Sequence, residues 1–253
     1  MSTTLEIPAL LLVGGMGTRL RSVLKSRPKP LAAVGTKSFL SLLVRQLRNQ
    51  GIRRVVMCSG YLSEQIESEF GDGRDWDMEI QYSRETQPLG TGGAVKFAER
   101  LLNEAPEFLA MNGDSFVELD LGQLVQVHRE EKSLVTMAVV PVDNAVRYGT
   151  VKIDSNRRVI GFTEKTGSDA PGLINAGVYV FGRSIFEHIP SGASSLERDI
   201  FPTILHLGVV AFEQPGMFID IGTPEDYARA QAICDRLSAA ASRARGDAAR
   251  RND

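Results

Sequence analysis

Three short stretches of this chain hold the residue types that can handle a charged phosphate substrate. Gly14-Gly15-Met16-Gly17-Thr18-Arg19-Leu20 directly follows an apolar run at residues 9–13. Glycines after a buried strand let backbone N–H groups approach an anion without side-chain obstruction. The Gly15-x-Gly17 spacing has Leu20 where a dinucleotide fingerprint has its third glycine, and no Gly-Lys-Ser/Thr ending follows, so a P-loop is excluded. On their own the glycines fit a tight strand-to-helix turn equally well. The cations beside them add to the phosphate reading. Arg19 and Arg21 lie in the segment, and Arg27-Pro28-Lys29-Pro30 follows. Prolines on both sides of Lys29 stiffen its backbone, so its ammonium can be aimed at a fixed point. Arg offers a planar fork for phosphate oxygens and Lys a point charge, the combination a triphosphate needs.

Two acidic residues complete the set. Asn112-Gly113-Asp114 ends a strand-like run, and open α/β sheets bind their ligands at the carboxyl ends of strands. Asn-Gly alone would also make a turn. Asp220 stands between Ile219 and Ile221, so its charge is expected in a largely buried strand, where a cation must compensate it. Both are hard oxygen donors of the kind Mg²⁺ takes. Thr223-Pro224 then reads as N-cap and first residue of a helix.

The elements that must position these residues are visible in the periodicity. Residues 9–13, 54–58, 79–83 and 108–111 read as strands, and residues 38–49, 63–70 and 93–102 as the helices between them. After a helix at 121–131, residues 134–142, 150–153, 158–163 and 176–181 are strand-like with little helix between, which suggests antiparallel additions to a parallel core. Helices at 195–205 and 224–237 close the pattern. The expected architecture is α/β: a single-domain α/β/α sandwich over residues 1–238. Its mixed, mostly parallel, Rossmann-like sheet carries a small antiparallel part. Residues 239–253 are arginine-rich without a sustained apolar face and are expected to form a flexible tail.

Leu12-Val13-Gly14-Gly15-Met16-Gly17-Thr18-Arg19-Leu20 together with Pro28-Lys29-Pro30 resembles the signature of the sugar-1-phosphate nucleotidyltransferases, over roughly residues 7–237. Ser22 and Val23 stand where the family usually continues with Pro. The resemblance implies an NTP and a sugar 1-phosphate as substrates, Mg²⁺ as cofactor, and an NDP-sugar and pyrophosphate as products. It implies nucleotide contacts from Val13, Gly14, Gly15, Gly17, Thr18, Arg19, Glu85, Pro88, Gly90 and Thr91. Arg19 would stabilise the departing pyrophosphate, Lys29 the α-phosphate region, and Asp114 and Asp220 would hold the metal. Tyr148, Gly149, Glu164, Lys165, Asn175 and Gly177 would take the sugar and its phosphate. In that scheme Asn175 donates and accepts at the sugar while Gly177 leaves room for the ring. Ser195-Leu196-Glu197-Arg198-Asp199 would support the site from behind, with Ser195 capping and Arg198 pairing nearby acids.

At the base-edge position of the family stands Glu85. A carboxylate can accept from both guanine N1–H and N2–H₂, whereas uracil or thymine offers one imide donor and suits Gln better. Val13 also resembles the guanylyl branch. The expected reaction is therefore guanylyl transfer from GTP to a manno-heptose 1-phosphate. Mannose 1-phosphate as acceptor, or uridylyl transfer to N-acetylmuramate 1-phosphate, is the alternative. A glycosyltransferase would want an Asp-x-Asp motif, which Glu118-Leu119-Asp120 imitates only loosely. A silent nucleotide-sugar sensor would not need the pyrophosphate-stabilising loop.

Composition excludes other classes. The 29 Lys and Arg against 31 Asp and Glu give a net charge of −2, which argues against a protein that coats nucleic acid or an anionic membrane. Cys58 and Cys234 cannot make a disulfide framework, so a reducing, cytoplasmic setting is expected. No apolar run approaches a membrane span, and the first residues lack the basic region of a signal peptide. His128, His188 and His206 are scattered, against a zinc site or a Ser-His-Asp hydrolase. The sequence leaves the oligomeric state open, a homo-oligomer included.

Overall fold

The computed structural model describes residues 4–15, 17–24, 26–102, 104–145, 148–163 and 170–244. In chain order the strands are β1 Ala9–Leu12, β2 Ala33–Val34, β3 Lys37–Ser38, β4 Arg54–Ser59, β5 Glu79–Arg84, β6 Glu107–Asn112, β7 Ser115–Val117, β8 Val135–Val142, β9 Thr150–Ile153, β10 Val159–Thr163, β11 Gly172–Gly182, β12 Val209–Glu213 and β13 Phe218–Asp220. The α-helices are α1 Arg21–Leu24, α2 Phe39–Asn49, α3 Ser63–Phe70, α4 Gly90–Phe97, α5 Leu121–Glu131, α6 Phe201–Ile204, α7 Pro224–Ala232 and α8 Cys234–Ala241.

Nine strands make one mixed sheet. Its path runs β10-β9-β11-β6-β1-β4-β5, with β8 and β12 branching from β11. The pairs β1–β4, β1–β6 and β4–β5 are parallel; β11 joins β6, β8 and β9 antiparallel, so the antiparallel part continues the same sheet. Successive residues of the central strands feed opposite faces. Ala9, Leu11, Val55 and Met57 pack with α2, α3, α5 and α8, while Leu10, Val56, Phe108 and Ala110 pack with α4 and α6. Continuous apolar runs are what a sheet covered on both faces requires. The chain leaves β1 toward β4 on one side and has β6 on the other, so a crevice opens beyond the carboxyl ends of β1 and β6. Among the described residues no helix is long and apolar enough to cross a membrane.

Three helical expectations are revised. Residues 195–205 form a π-helical turn, Leu196–Ile200, followed by the short α6. Pro202 has no N–H and its ring collides with the carbonyl four residues back, so an unbroken α-helix cannot pass through it. Residues 224–237 divide at Ile233, which lets α7 pack on β13 and α8 on α2. The packed chain also runs past residue 238: Ala240 and Ala241 are buried, and Arg243 pairs with Glu118. Residues 245–253 of the expected tail lie outside the described residues. At the start of α7 Thr223 accepts from the Asp226 N–H with Pro224 in the first turn, as its sequence implies.

Two buried glutamines, Gln46 in α2 and Gln50 at its C-cap, fix the end of β7 and the segment after it. Gln46 Nε2 donates to the Val117 carbonyl at 2.7 Å. Gln50 Nε2 donates to the Leu119 carbonyl at 2.7 Å, and its Oε1 accepts from the Leu121 N–H at 2.7 Å. Gln50→Ala would strand a buried carbonyl and a buried N–H, each worth about 1–3 kcal/mol when unpaired. Urea denaturation should show a loss of at least that size; an unchanged midpoint would mean that water replaces the amide.

Candidate active site

The crevice is an open cleft of about 870 Å³. Val13, Gly14, Gly15, Lys29, Glu85, Pro88, Gly90, Thr91 and Asp114 line it, together with Leu12, Pro30, Cys58, Ala94 and Asn112. Nine of the expected residues therefore meet in one place. Of the other five, Leu12, Pro30 and Asn112 belong to the motifs already quoted, while Cys58 of β4 and Ala94 of α4 reach the wall because their elements converge there.

Asp114 follows β6 and Asp220 ends β13, which pairs antiparallel with β7. The Ser115 hydroxyl lies 3.0 Å from Asp220 Oδ2 and 3.4 Å from Asp114 Oδ1, so it bridges the two carboxylates. Lys29 Nζ donates to Asp114 Oδ2 at 2.6 Å, and the Gly222 N–H donates to Asp220 Oδ1 at 2.6 Å. Gly17, at φ +56°, packs on Lys29: a Cβ there would lie 2.9 Å from Lys29 Cβ. That glycine and the two prolines together fix where the ammonium points.

Asp220 has its carboxyl raised above the usual range, first by burial and then by the Asp114 charge. Lys29, the Gly222 N–H and the Ser115 hydroxyl pull it back in part. A buried carboxylate next to a second one is an arrangement that a hard divalent cation relieves, and both donors are oxygen, which suits such a cation. Among the described residues no group of three His, Cys, Asp or Glu forms. A cation here would complete its coordination with substrate phosphates and water.

At the other end of the cleft Glu85 follows β5. Its Oε2 accepts from the Leu89 N–H at 3.1 Å, and a Cβ on Gly14 would lie 3.5 Å from its Oε1. The carboxylate is thus tied into its own loop and turned to the glycine turn rather than to solvent. Burial raises its pKa, and the Leu89 N–H opposes this. The Cys58 thiol is pushed up by burial and by the Glu85 charge, which leaves it a packing group and not a nucleophile.

Other expected residues stand elsewhere. Arg19 is exposed in the turn Thr18–Leu20 and does not line the cleft; the side chain of Thr18 lies outside the described residues. Glu164 and Lys165 also lie outside them. Tyr148 packs edge-on against Phe218 of β13, with ring centroids 5.7 Å apart, and Gly149 follows it just before β9. Asn175 and Gly177 sit at an irregularity in β11. Asn175 gives Nδ2 to the Tyr179 hydroxyl at 2.7 Å and accepts from the Gly177 N–H at 2.9 Å, so its amide serves its own bulge. The room above Gly177, expected for a sugar ring, holds Asn112: a Cβ on Gly177 would lie 2.5 Å from Asn112 Nδ2. Arg198 is exposed, and its backbone N–H, not its guanidinium, meets Ser195. The loose Glu118-Leu119-Asp120 imitation is spent structurally, since Asp120 caps α5 and Glu118 pairs with Arg243.

The family model described as nucleotidyl transferase matches residues 8–236. The chain belongs to the nucleotidyl transferase family. It is 42% identical over 225 residues to D-glycero-alpha-D-manno-heptose 1-phosphate guanylyltransferase of Aneurinibacillus thermoaerophilus, covering 88% of this chain and 96% of that one. It is 38% identical over 234 residues to mannose-1-phosphate guanylyltransferase of Mycobacterium tuberculosis, covering 90% of this chain but only 65% of that longer relative. Among solved structures, HddC from Yersinia pseudotuberculosis complexed with GMP-PN superposes with a TM-score of 0.81 at 34% identity, over 89% of this chain and 98% of that one.

The raised pKa of Glu85 fixes the sign of a stability effect. A carboxyl whose folded pKa lies above its unfolded value costs the fold stability as pH rises, because the unfolded chain ionises first. Glu85→Gln should therefore melt at or above the wild-type temperature at neutral pH. The two curves should converge below about pH 4, where both states are protonated. A variant less stable at neutral pH than in acid, relative to wild type, would contradict the assignment.

Proposed function

We propose that this chain transfers a guanylyl group from GTP to a sugar 1-phosphate, with a manno-heptose 1-phosphate as the leading acceptor, yielding a GDP-sugar and pyrophosphate. One observation carries the reading: a single cleft has a half-buried carboxylate, Glu85, at one end and the Lys29–Asp114 pair at the other, with Asp220 joined to Asp114 through Ser115 behind the lining. That is a base reader and a phosphate-handling cluster in one groove. The guanylyltransferase names of the relatives support the base, and the 42% identical relative supports the heptose. Mannose 1-phosphate is the second reading, favoured by the mycobacterial relative. Uridylyl transfer fits Glu85 less well, because uracil faces a carboxylate with carbonyl lone pairs.

In this reading the base lies against the Gly14 turn and the wall of Pro88, Gly90 and Thr91, with its N1–H and N2–H₂ toward Glu85. Val13, Gly14, Gly15 and Gly17 bring backbone close to the nucleotide. Lys29 holds charge at the α-phosphate, and Arg19 closes over the departing pyrophosphate. By the family resemblance Glu164 and Lys165, which lie outside the described residues, receive the acceptor, whose phosphate oxygen attacks in line at the α-phosphorus. Tyr148, Gly149, Asn175 and Gly177 belong to the same acceptor side, with the Asn175 amide and the space above Gly177 taken up by the protein itself. No covalent enzyme intermediate is needed; positioning and charge stabilisation carry the rate. Asp114 and Asp220 would hold Mg²⁺, which when bound neutralises charge on the phosphates. Ser115 and Gly222 keep those two carboxylates oriented. Charge balance and cysteine usage support a cytoplasmic enzyme acting on small molecules.

Pyrophosphate release with a panel of NTPs and sugar phosphates tests the reading. GTP should exceed UTP and dTTP in kcat/KM by up to ~10⁴, the discrimination available when buried polar groups would be left unpaired. Asp114→Asn and Asp220→Asn should each lower turnover ~100–1000-fold while the variants remain folded. Equal use of UTP would remove the guanine reading, and near-full metal-dependent activity of either variant would remove the carboxylates from the phosphate site.

A further inference from the structure

The cleft wall at Gly90 and Thr91 is fixed from behind by a segment that does not itself line the cleft. Helix α4 starts with glycines because Ser194 crosses its first turn: the Gly92 and Gly93 N–H groups both donate to the Ser194 carbonyl, at 2.9 and 3.2 Å, and the Ser194 N–H donates to the Leu89 carbonyl at 2.9 Å. A Cβ on Gly90, at φ +70°, would lie 2.5 Å from that same carbonyl oxygen. These backbone bonds already seat the helix. One further contact goes to a cleft-lining side chain. Thr91 Oγ1 donates to Glu197 Oε2 at 2.8 Å and accepts from the Leu196 N–H at 2.8 Å. The Ser195 hydroxyl donates to the same Glu197 oxygen at 2.8 Å.

Glu197 sits in the π-helical turn Leu196–Ile200, a local distortion that proteins use mostly at functional sites. Its carboxylate is half-buried, and placing a charge there is costly for a clamp that backbone bonds already provide. What the charge adds is a strong acceptor that sets the rotamer of Thr91. With its proton given to Glu197 and a lone pair to Leu196, Thr91 contributes shape rather than hydrogen bonding to the cleft. The Tyr179 phenol is raised in pKa by burial and then by the Glu197 charge, so the carboxylate also lies near the residue that anchors Asn175.

We infer that Glu197 is a positioning residue for the nucleotide: through Thr91 it holds the cleft wall in the shape the base packs against, and it does so without contacting substrate. The inference rests on the nucleotide occupying this cleft, as proposed above.

Steady-state kinetics with GTP and the sugar phosphate, run alongside thermal melts, test it. Glu197→Ala should raise the KM for GTP about tenfold or more, the size expected for a lost charge-assisted hydrogen bond. The kcat and the KM for the sugar phosphate should stay within about twofold, as for loss of uniform nucleotide binding. Thr91→Val should do the same, and the double variant should be no worse than either single one, because both remove one contact. Glu197→Gln, which keeps an acceptor oxygen, should restore most of the affinity. An unchanged KM for GTP in Glu197→Ala and Thr91→Val would overturn the inference alone. So would a joint shift of both KM values and the melting temperature that Gln does not rescue. Wild-type protein that neither binds nor turns over GTP would overturn the underlying reading and this inference with it.

Discussion

The site depends on one electrostatic arrangement: two carboxylates, Asp114 and Asp220, held close together at the edge of the core with the Lys29 ammonium on one of them. Like charges in a partly buried place repel, and each loses hydration. The chain offsets this locally with the Lys29 ion pair at 2.6 Å, the Ser115 hydroxyl between the acids and the Gly222 N–H on Asp220. The offset is partial, since Asp220 remains raised in pKa. The remaining imbalance is what makes this end of the cleft suited to a cation and to phosphates. Much of the surrounding structure keeps the acids in place: β7 pairs with β13, α2 and its C-cap hold the end of β7 and the segment after it through Gln46 and Gln50, and α7 starts directly after Asp220 with its own cap.

The opposite end is built by close backbone approach rather than by charge. Gly14 and Gly60 bring the ends of β1 and β4 together, with a hypothetical Cβ on Gly60 3.3 Å from the Gly14 carbonyl. Gly90, Gly92 and Gly93 do the same for α4 against Ser194. Glu85 is the carboxylate at this end of the cleft among the described residues, and its Leu89 bond holds it in place.

The parts legible in the sequence were those set by local rules. Asp220 between isoleucines, Thr223-Pro224 after it and Asp114 at a strand end are read from burial pattern and cap chemistry, and the structure brings both acids to one place. The parallel core follows from its apolar runs. What depends on tertiary approach was not legible. Nothing in a single chain marks Asn112 as the group above Gly177: the sequence shows that a glycine is needed there, while only the β6–β11 pairing shows what fills the space. Likewise the cationic loop is plain in sequence, yet its geometry aims Lys29 at Asp114 and leaves Arg19 exposed. Pro202 could have signalled the break after residue 200, but nothing in the sequence marks the π turn before it, where Glu197 meets Thr91.

In the function proposed here, Asp114 and Asp220 form one cation site used together with the nucleotide. Binding of Mn²⁺ to the full chain, followed by its electron paramagnetic resonance signal with and without GTP, tests this most directly. Tight Mn²⁺ binding should require GTP, since two carboxylates alone are too few to hold the ion tightly, and it should be lost in Asp220→Asn although the variant stays folded. Mn²⁺ binding in the presence of GTP that is the same in wild type and Asp220→Asn would contradict the account.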